Sequence, residues 1–219
     1  MLRLPLHNGD SPVRRVLVLG AHADDIEIGC GATLLALQRA HDVEVDWVVL
    51  GADGIRESEA RASAESFLAD AASSSVACHG FRDGYFPYLG REVKDVFEDL
   101  KGRVDPDVIL THARHDLHQD HRLVCELTWN TWRDHLILEY EIPKYDGDLG
   151  APNVFVPVTE ELAREKTRLL AGSFPSQGDK HWFDESIFLG LMRLRGMEVR
   201  APSGYAEAFF CRKFSLLVA

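Results

Sequence analysis

No run of about 18 apolar residues, the length a spanning helix needs, occurs in this 219-residue chain. The opening stretch MLRLPLHNGDSPVRRVLVLG lacks a long apolar segment followed by a small-residue cleavage site, so neither an anchor nor a leader is expected. Cysteine is scarce. Cys30, Cys78, Cys125 and Cys211 are far apart and form no C-x-x-C pair, which excludes a disulfide scaffold and fits the reduced thiols of a cytoplasmic protein. Cations are outnumbered, with 24 Lys and Arg against 35 Asp and Glu for a formal charge of −11. That balance argues against partners gripped through phosphate, whether nucleic acid or an anionic membrane. Repeats and low-complexity segments are also absent. What is left is an ordinary globular composition, 46% hydrophobic and 27% charged. The length fits a single domain over 1–219, whose C-terminal third (about 143–219) elaborates a pocket.

The first two-thirds alternate strand-like and helix-like segments. Apolar runs at Val16–Leu19, Val43–Leu50, Val76–Cys78 and Val108–Leu110 read as strands. Between and after them, helices are expected over about Asp25–Ala40, through Ala60, Ala64, Phe67, Leu68 and Ala71, through Val93, Val96, Phe97 and Leu100, and over Asp120–Arg133. Apolar strands alternating with helices predict an α/β, Rossmann-like fold, a mainly parallel sheet with helices on both faces. Further on, Ile137–Ile142 and Ala206–Cys211 read as strands, Thr159 as a helix start, and Asp184 as the cap of a helix ending at Gly196. The stretches KYDGDLGAPN and FPSQGDKHWF are too long for plain connectors and are expected to shape a pocket.

In such folds ligands bind beyond the carboxyl ends of the strands. Two polar clusters fall there. The first is GAHADDIEIGCGA, residues 20–32. His22 and Asp25, three apart on a strand-to-helix turn, can point at one ion, and a neutral imidazole with a carboxylate suits Zn²⁺ in a site that keeps water. Acidic residues opening a helix also complement its dipole, which is sufficient explanation for either Asp24 or Asp25 alone. Gly20, Gly29 and Gly31 do not fit G-x-G-x-x-G, and the acids beside them would repel a pyrophosphate. The second cluster is THARHDLHQDH, residues 111–121, where His115, Asp116, His118, Asp120 and His121 crowd one loop. His112 and His115 are its weaker members, since a histidine near a strand end more often packs or hydrogen-bonds than ligates.

A-H-A-D-D-x-E-x-G-C-G followed by H-Q-D-H closely resembles the LmbE-like/PIG-L zinc-dependent N-deacetylases, with signatures A-H-P-D-D and H-x-D-H. The resemblance continues through Lys166, Ser176-Gln177 and Tyr205-Ala-Glu-Ala-Phe209. Ala23 stands where the family usually has Pro, removing a rigid turn residue but no functional group. The resemblance implies a Rossmann-like fold, one Zn²⁺ per chain, and hydrolysis of an N-acetyl group on a soluble N-acetylglucosamine-type sugar or glycosylated small metabolite. It also implies a homo-oligomer. Carried across, His22, Asp25 and His121 are the zinc ligands, Asp24 the general base, His118 the electrostatic or acid partner, and Asp120 the residue orienting His118. Arg56 and Arg82, in loops after the second and third strands, are candidate substrate contacts, as is Glu27 in the first helical turn. Trp129, Trp132 and Trp182 read as core or subunit-contact residues. Two alternatives stay open: a metal-dependent hydrolase of another bond, such as a phosphoester, and a non-catalytic metal-binding module.

Overall fold

Strand-helix alternation becomes a seven-stranded sheet with helices on both faces in the computed structural model, which describes residues 3–8 and 11–216. The span 1–219 expected of a single domain also covers residues 1, 2, 9, 10 and 217–219, which lie outside the described residues. In chain order the first elements are β1 (Arg15–His22), α1 (Asp25–Ala40), β2 (Glu44–Gly51), α2 (Gly54–Phe67) and β3 (Ser73–Cys78). Then come α3 (Gly90–Arg103), β4 (Val108–His112), α4 (Gln119–Thr131) and β5 (Leu136–Tyr140). The remainder is β6 (Val154–Val158), α5 (Glu160–Ser173), α6 (Glu185–Glu198) and β7 (Tyr205–Phe210). A two-rung hairpin, His7–Asn8 with Ser11–Pro12, precedes β1.

The sheet runs β3-β2-β1-β4-β5-β7-β6. Strands β1 to β5 are mutually parallel, and β7 is antiparallel to both β5 and β6. The chain builds outward from β1 in one direction, then returns and builds from β4 in the other. The switch point therefore lies between β1 and β4, where a ligand crevice is expected. Pairing of these two strands stops at Val18↔Leu110, so their last residues diverge. The Ala21 amide donates instead to the His112 side chain, Nε2 at 2.9 Å.

Alternation along each strand divides the core. Val16 and Val18 join Val45, Trp47, Val49, Val108 and Leu110 on the face covered by α1, α2, α5 and α6. Leu17 and Leu19 join Val48, Leu50, Ile109 and Ile137 on the face covered by α3 and α4. Helix α1 is buried on nearly every side, which explains its apolar sequence. It lies so close to the sheet that a Cβ at Gly29 would fall 2.2 Å from the Tyr140 ring. This glycine serves packing and not phosphate.

Several expected boundaries move. Helix α2 ends at Phe67, before Leu68 and Ala71, and α6 runs past Gly196 to Glu198. Strand β6 was not read from the sequence, because Pro157 stands inside it; the sheet admits a proline there because β6 is an edge. Among the described residues no helix is long and apolar enough to cross a membrane.

The C-terminal third is tied to α1 by a buried ion pair. Lys166 of α5 and Glu207 of β7 meet at 2.6 Å, both 2% exposed at the side chain. The Lys166 ammonium also donates to the Ile28 carbonyl, and the Glu207 carboxylate accepts from the amides of Ala32 and Thr33. Removing one partner strands a buried charge. Lys166→Met is accordingly expected to lose about 3–5 kcal/mol in urea unfolding, and a loss below about 1 kcal/mol would show that the pair is not structural.

Candidate metal centre

The divergence of β1 and β4 opens a cleft of about 610 Å³. His22, Asp24, Asp25, His118 and His121 form its floor, with Arg56, Arg82 and Asp83 beside them. One wall comes from residues 142–146 and another from Gln177, Lys180 and Trp182. Trp182 packs against the core, as expected, and also lines the cleft; Trp132 is buried in the core and Trp129 donates to Glu139. Both long stretches singled out in the sequence reach the cleft.

Three donor atoms converge on its floor. His22 Nδ1 is 3.4 Å from Asp25 Oδ2 and 3.2 Å from His121 Nε2, which is 3.5 Å from Asp25 Oδ2. Zinc bonds of about 2.0–2.1 Å in a tetrahedron give edges of roughly 3.3–3.4 Å, so this triangle fits such an ion without rearrangement.

The hydrogen bonds around the rings decide which nitrogens are free. His121 Nδ1 faces Asp116 Oδ2 at 2.9 Å, leaving Nε2 to the triangle. His22 Nε2 faces Asp120 Oδ2 at 3.1 Å, leaving Nδ1. Each is a carboxylate–imidazole pair of the kind that aims metal-ligating histidines. Buried His112 lies 3.3 Å from Asp25 Oδ2, but its Nε2 already accepts the Ala21 amide, so its lone pair is spent. Exposed His115 packs edge-on against Phe210, away from the floor. His118 caps α4, and its Nδ1 accepts from the Asp120 amide, which turns a protonated Nε2 toward the cleft.

Two expectations need correction. The Asp120 carboxylate does not orient the His118 ring. It accepts from His22 and from the amides of Gly84 and Phe86, and only its backbone reaches His118. Glu27 cannot touch a substrate: it is fully buried behind the site, and among the described residues neither carboxylate oxygen has a hydrogen-bond partner. Burial pushes its carboxyl up from the ordinary 4.5 to about 8. Sequence reasoning also passed over Asp83 and gave Asp116 no role. Asp116 sits in the H-D-x-H-x-D-H run and was open to notice; Asp83, on the loop after β3, carries no signal of its own.

Electrostatics single out Asp25. Burial alone would raise its pKa, yet the neighbouring His121 and His112 imidazoles hold it well below the usual carboxylate range. His22 would likewise be lowered by burial, but Asp120, Asp25 and Asp83 lift it well above an ordinary histidine. Asp24 goes the other way. It occupies the N-cap of α1 yet makes no capping bond, and burial raises its pKa against the pull of Arg56, whose Nη2 is 3.1 Å from Oδ2. Arg56 itself lies in the first turn of α2 rather than in a loop. The Arg82 guanidinium stacks 3.9 Å from the Tyr85 ring centroid.

Comparison with known proteins gives the family and the fold. Residues 17–132 match the PIG-L family, GlcNAc-PI de-N-acetylase. The chain is 31% identical over 173 residues to the uncharacterized deacetylase YaiS of Escherichia coli K12, covering 71% of this chain and 88% of that one. The N,N'-diacetylchitobiose deacetylase of Pyrococcus horikoshii superposes with a TM-score of 0.67 at 19% identity, over 91% of this chain and 84% of that one. GalB, the 4-carboxy-2-hydroxymuconate hydratase of Pseudomonas putida KT2440, superposes with a TM-score of 0.71 at 17% identity, over 94% and 99% of the chains. One fold thus carries different reactions, and function has to be argued from the site.

Two outcomes follow. Asp116→Asn should weaken divalent metal binding about 10- to 100-fold in chelator competition, since it unseats His121; unchanged affinity would remove Asp116 from the site. Glu27 binds its proton more tightly folded than unfolded, so stability should fall as pH rises from 4.5 toward about 8. Glu27→Gln should therefore gain on the parent between pH 5 and pH 9 in urea unfolding of chelator-treated protein. A constant difference across that range would contradict the shift.

Proposed function

The chain belongs to the PIG-L, GlcNAc-PI de-N-acetylase family, and from that premise we propose a zinc-dependent hydrolase acting on a soluble N-acetylglucosamine-type sugar or glycosylated small metabolite. The observation that carries the reading is the 3.2–3.5 Å triangle of His22, Asp25 and His121 with Asp24 beside it, off the capping bond and paired with Arg56. A metal-binding module without catalysis has no use for a carboxylate held next to the ion and off the capping bond.

When bound by those three residues, zinc polarises an amide carbonyl and makes water acidic enough to attack near neutral pH. Asp24 accepts the proton of the attacking water, and its raised pKa makes it a better base than an ordinary aspartate. His118 directs its Nε2 proton at the carbonyl oxygen as negative charge gathers there, a contribution of about 2.7–4 kcal/mol for one such donor. Burial and the neighbouring His121 and His22 lower the His118 pKa, which favours a neutral ring donating a hydrogen bond. The C–N bond breaks, the amine leaves with a proton, and acetate remains. Arg82 binds substrate hydroxyls from the rim, whereas Arg56 faces the cleft with its guanidinium committed to Asp24 and Glu59.

Asp24→Asn tests the division of labour, because the amide keeps the shape and cannot take a proton. The variant should retain its zinc and lose about 10²- to 10⁴-fold in kcat for acetate release from N-acetylglucosamine glycosides, with KM little changed. Normal turnover by the zinc-loaded variant would place the base elsewhere. Failure of the unmodified protein to release acetate from any such glycoside would overturn the reaction itself.

A further inference from the structure

Arg56 does not find Asp24 unaided. Glu59, one turn further along α2, is buried with 6% of its side chain exposed, and its Oε2 lies 3.3 Å from Arg56 Nη1. The other Arg56 nitrogen, Nη2, is 3.1 Å from Asp24 Oδ2. The guanidinium is thus held from behind by Glu59 and presented to Asp24 in front, with the Phe174 ring 5.3 Å away. The same carboxylate grips a second element. Glu59 Oε1 accepts the Ser176 amide at 2.8 Å, and Oε2 accepts the Ser176 hydroxyl at 2.6 Å. Ser176 belongs to the short 3-10 turn Pro175–Gln177, and its hydroxyl oxygen accepts in turn from Gln177 Nε2 at 2.9 Å. Gln177 is buried and lines the cleft, and the segment beyond it brings Lys180 and Trp182 into the same wall.

We infer that Glu59 is a positioning residue that fixes, through one carboxylate, both the arginine facing Asp24 and the turn that carries the Gln177–Trp182 wall. The inference rests on the deacetylase reading for its kinetic consequence and on geometry alone for its structural one. Bonds to an ionised carboxylate are the strong kind, and Glu59 makes them to an amide, a hydroxyl and a guanidinium at once. Glutamine in its place keeps the volume but presents an NH₂ to neighbours that are themselves donors, so at least one of the three bonds must fail. Both sides of the cleft are held to the distances catalysis needs, where a shift of about 1 Å is enough to cost on the order of 10²-fold.

Glu59→Gln is expected to lower kcat and raise KM together, with kcat/KM down at least about tenfold. Ser176→Ala, which frees the wall and removes the 3.3 Å bond from Arg56 Nη1 to the Ser176 hydroxyl but leaves the Glu59–Arg56 and Arg56–Asp24 contacts, should raise KM with a smaller loss of kcat than Glu59→Gln. In the double variant KM should be no worse than in Glu59→Gln alone, because the two substitutions cut the same tie. Zinc content should be unchanged in all three. Amide hydrogen exchange over residues 174–184 should quicken in both single variants while α2 keeps its protection, and that measurement needs no substrate. Parental KM in a folded Glu59→Gln protein, parental KM in Ser176→Ala, fully additive effects, or unchanged exchange over 174–184 would each overturn the inference. A parent chain that releases no acetate would fail the deacetylase reading, while the exchange data would still judge the clamp.

Discussion

One buried carboxylate sets the terms for the rest of the molecule. Asp25 faces His22, His121 and His112 within 3.3–3.5 Å, at the end of two strands that stop pairing four residues before β1 ends. Desolvating a negative charge at that depth is costly, and imidazoles alone repay it only by holding protons. His22 is pushed that way, its pKa lifted well above an ordinary histidine by Asp120, Asp25 and Asp83, while burial lowers that of His121. Asp116 and Asp120 take up the outer nitrogens of His121 and His22, the Ala21 amide occupies His112, and the inner lone pairs are left turned toward Asp25. A divalent cation suits the arrangement better than a proton does.

The sequence revealed the frame because the frame depends on local patterns. Strand β1 shows as the unbroken run Val16–Leu19, and α1 begins and ends at Asp25 and Ala40 as its pattern predicts. His22, Asp24 and Asp25 stand on one turn, so sequence proximity and spatial proximity coincide. Legibility ends where partners come from different parts of the chain. Nothing in residues 24–27 reveals that Glu27 turns into the core, since a first-turn acid is ordinarily solvated. The tie of Asp120 to His22 spans 98 positions and depends on how the loop after β3 delivers the Gly84 and Phe86 amides. Trp182 packs against the core as its residue type suggests, and only the path of the 174–184 segment brings it to the cleft as well.

The floor and the walls of the cleft have separate origins. The donor triangle and Asp24 come from β1, α1 and α4, elements of the parallel half of the sheet, while residues 142–146 and 177–182 come from long connections in the C-terminal third. Lys166 and Glu207 join the two halves deep beneath α1, some distance along the helix from Asp24 and Asp25 at its start. Two ties nevertheless join walls to floor: Glu59 binds Ser176 beside the Arg56 that faces Asp24, and Lys144 meets Asp116 at 2.9 Å behind His121.

The proline inside β6 has a consequence beyond the sheet it belongs to. Among the described residues β6 pairs only with β7, so its other side is an edge of the sheet, and Pro157 stands one residue from the end of that five-residue strand. An incoming strand finds no N–H at that position and meets a rigid ring instead. Edge-to-edge pairing is disfavoured at that position by composition alone, whereas β3, the opposite edge of the sheet, carries no proline.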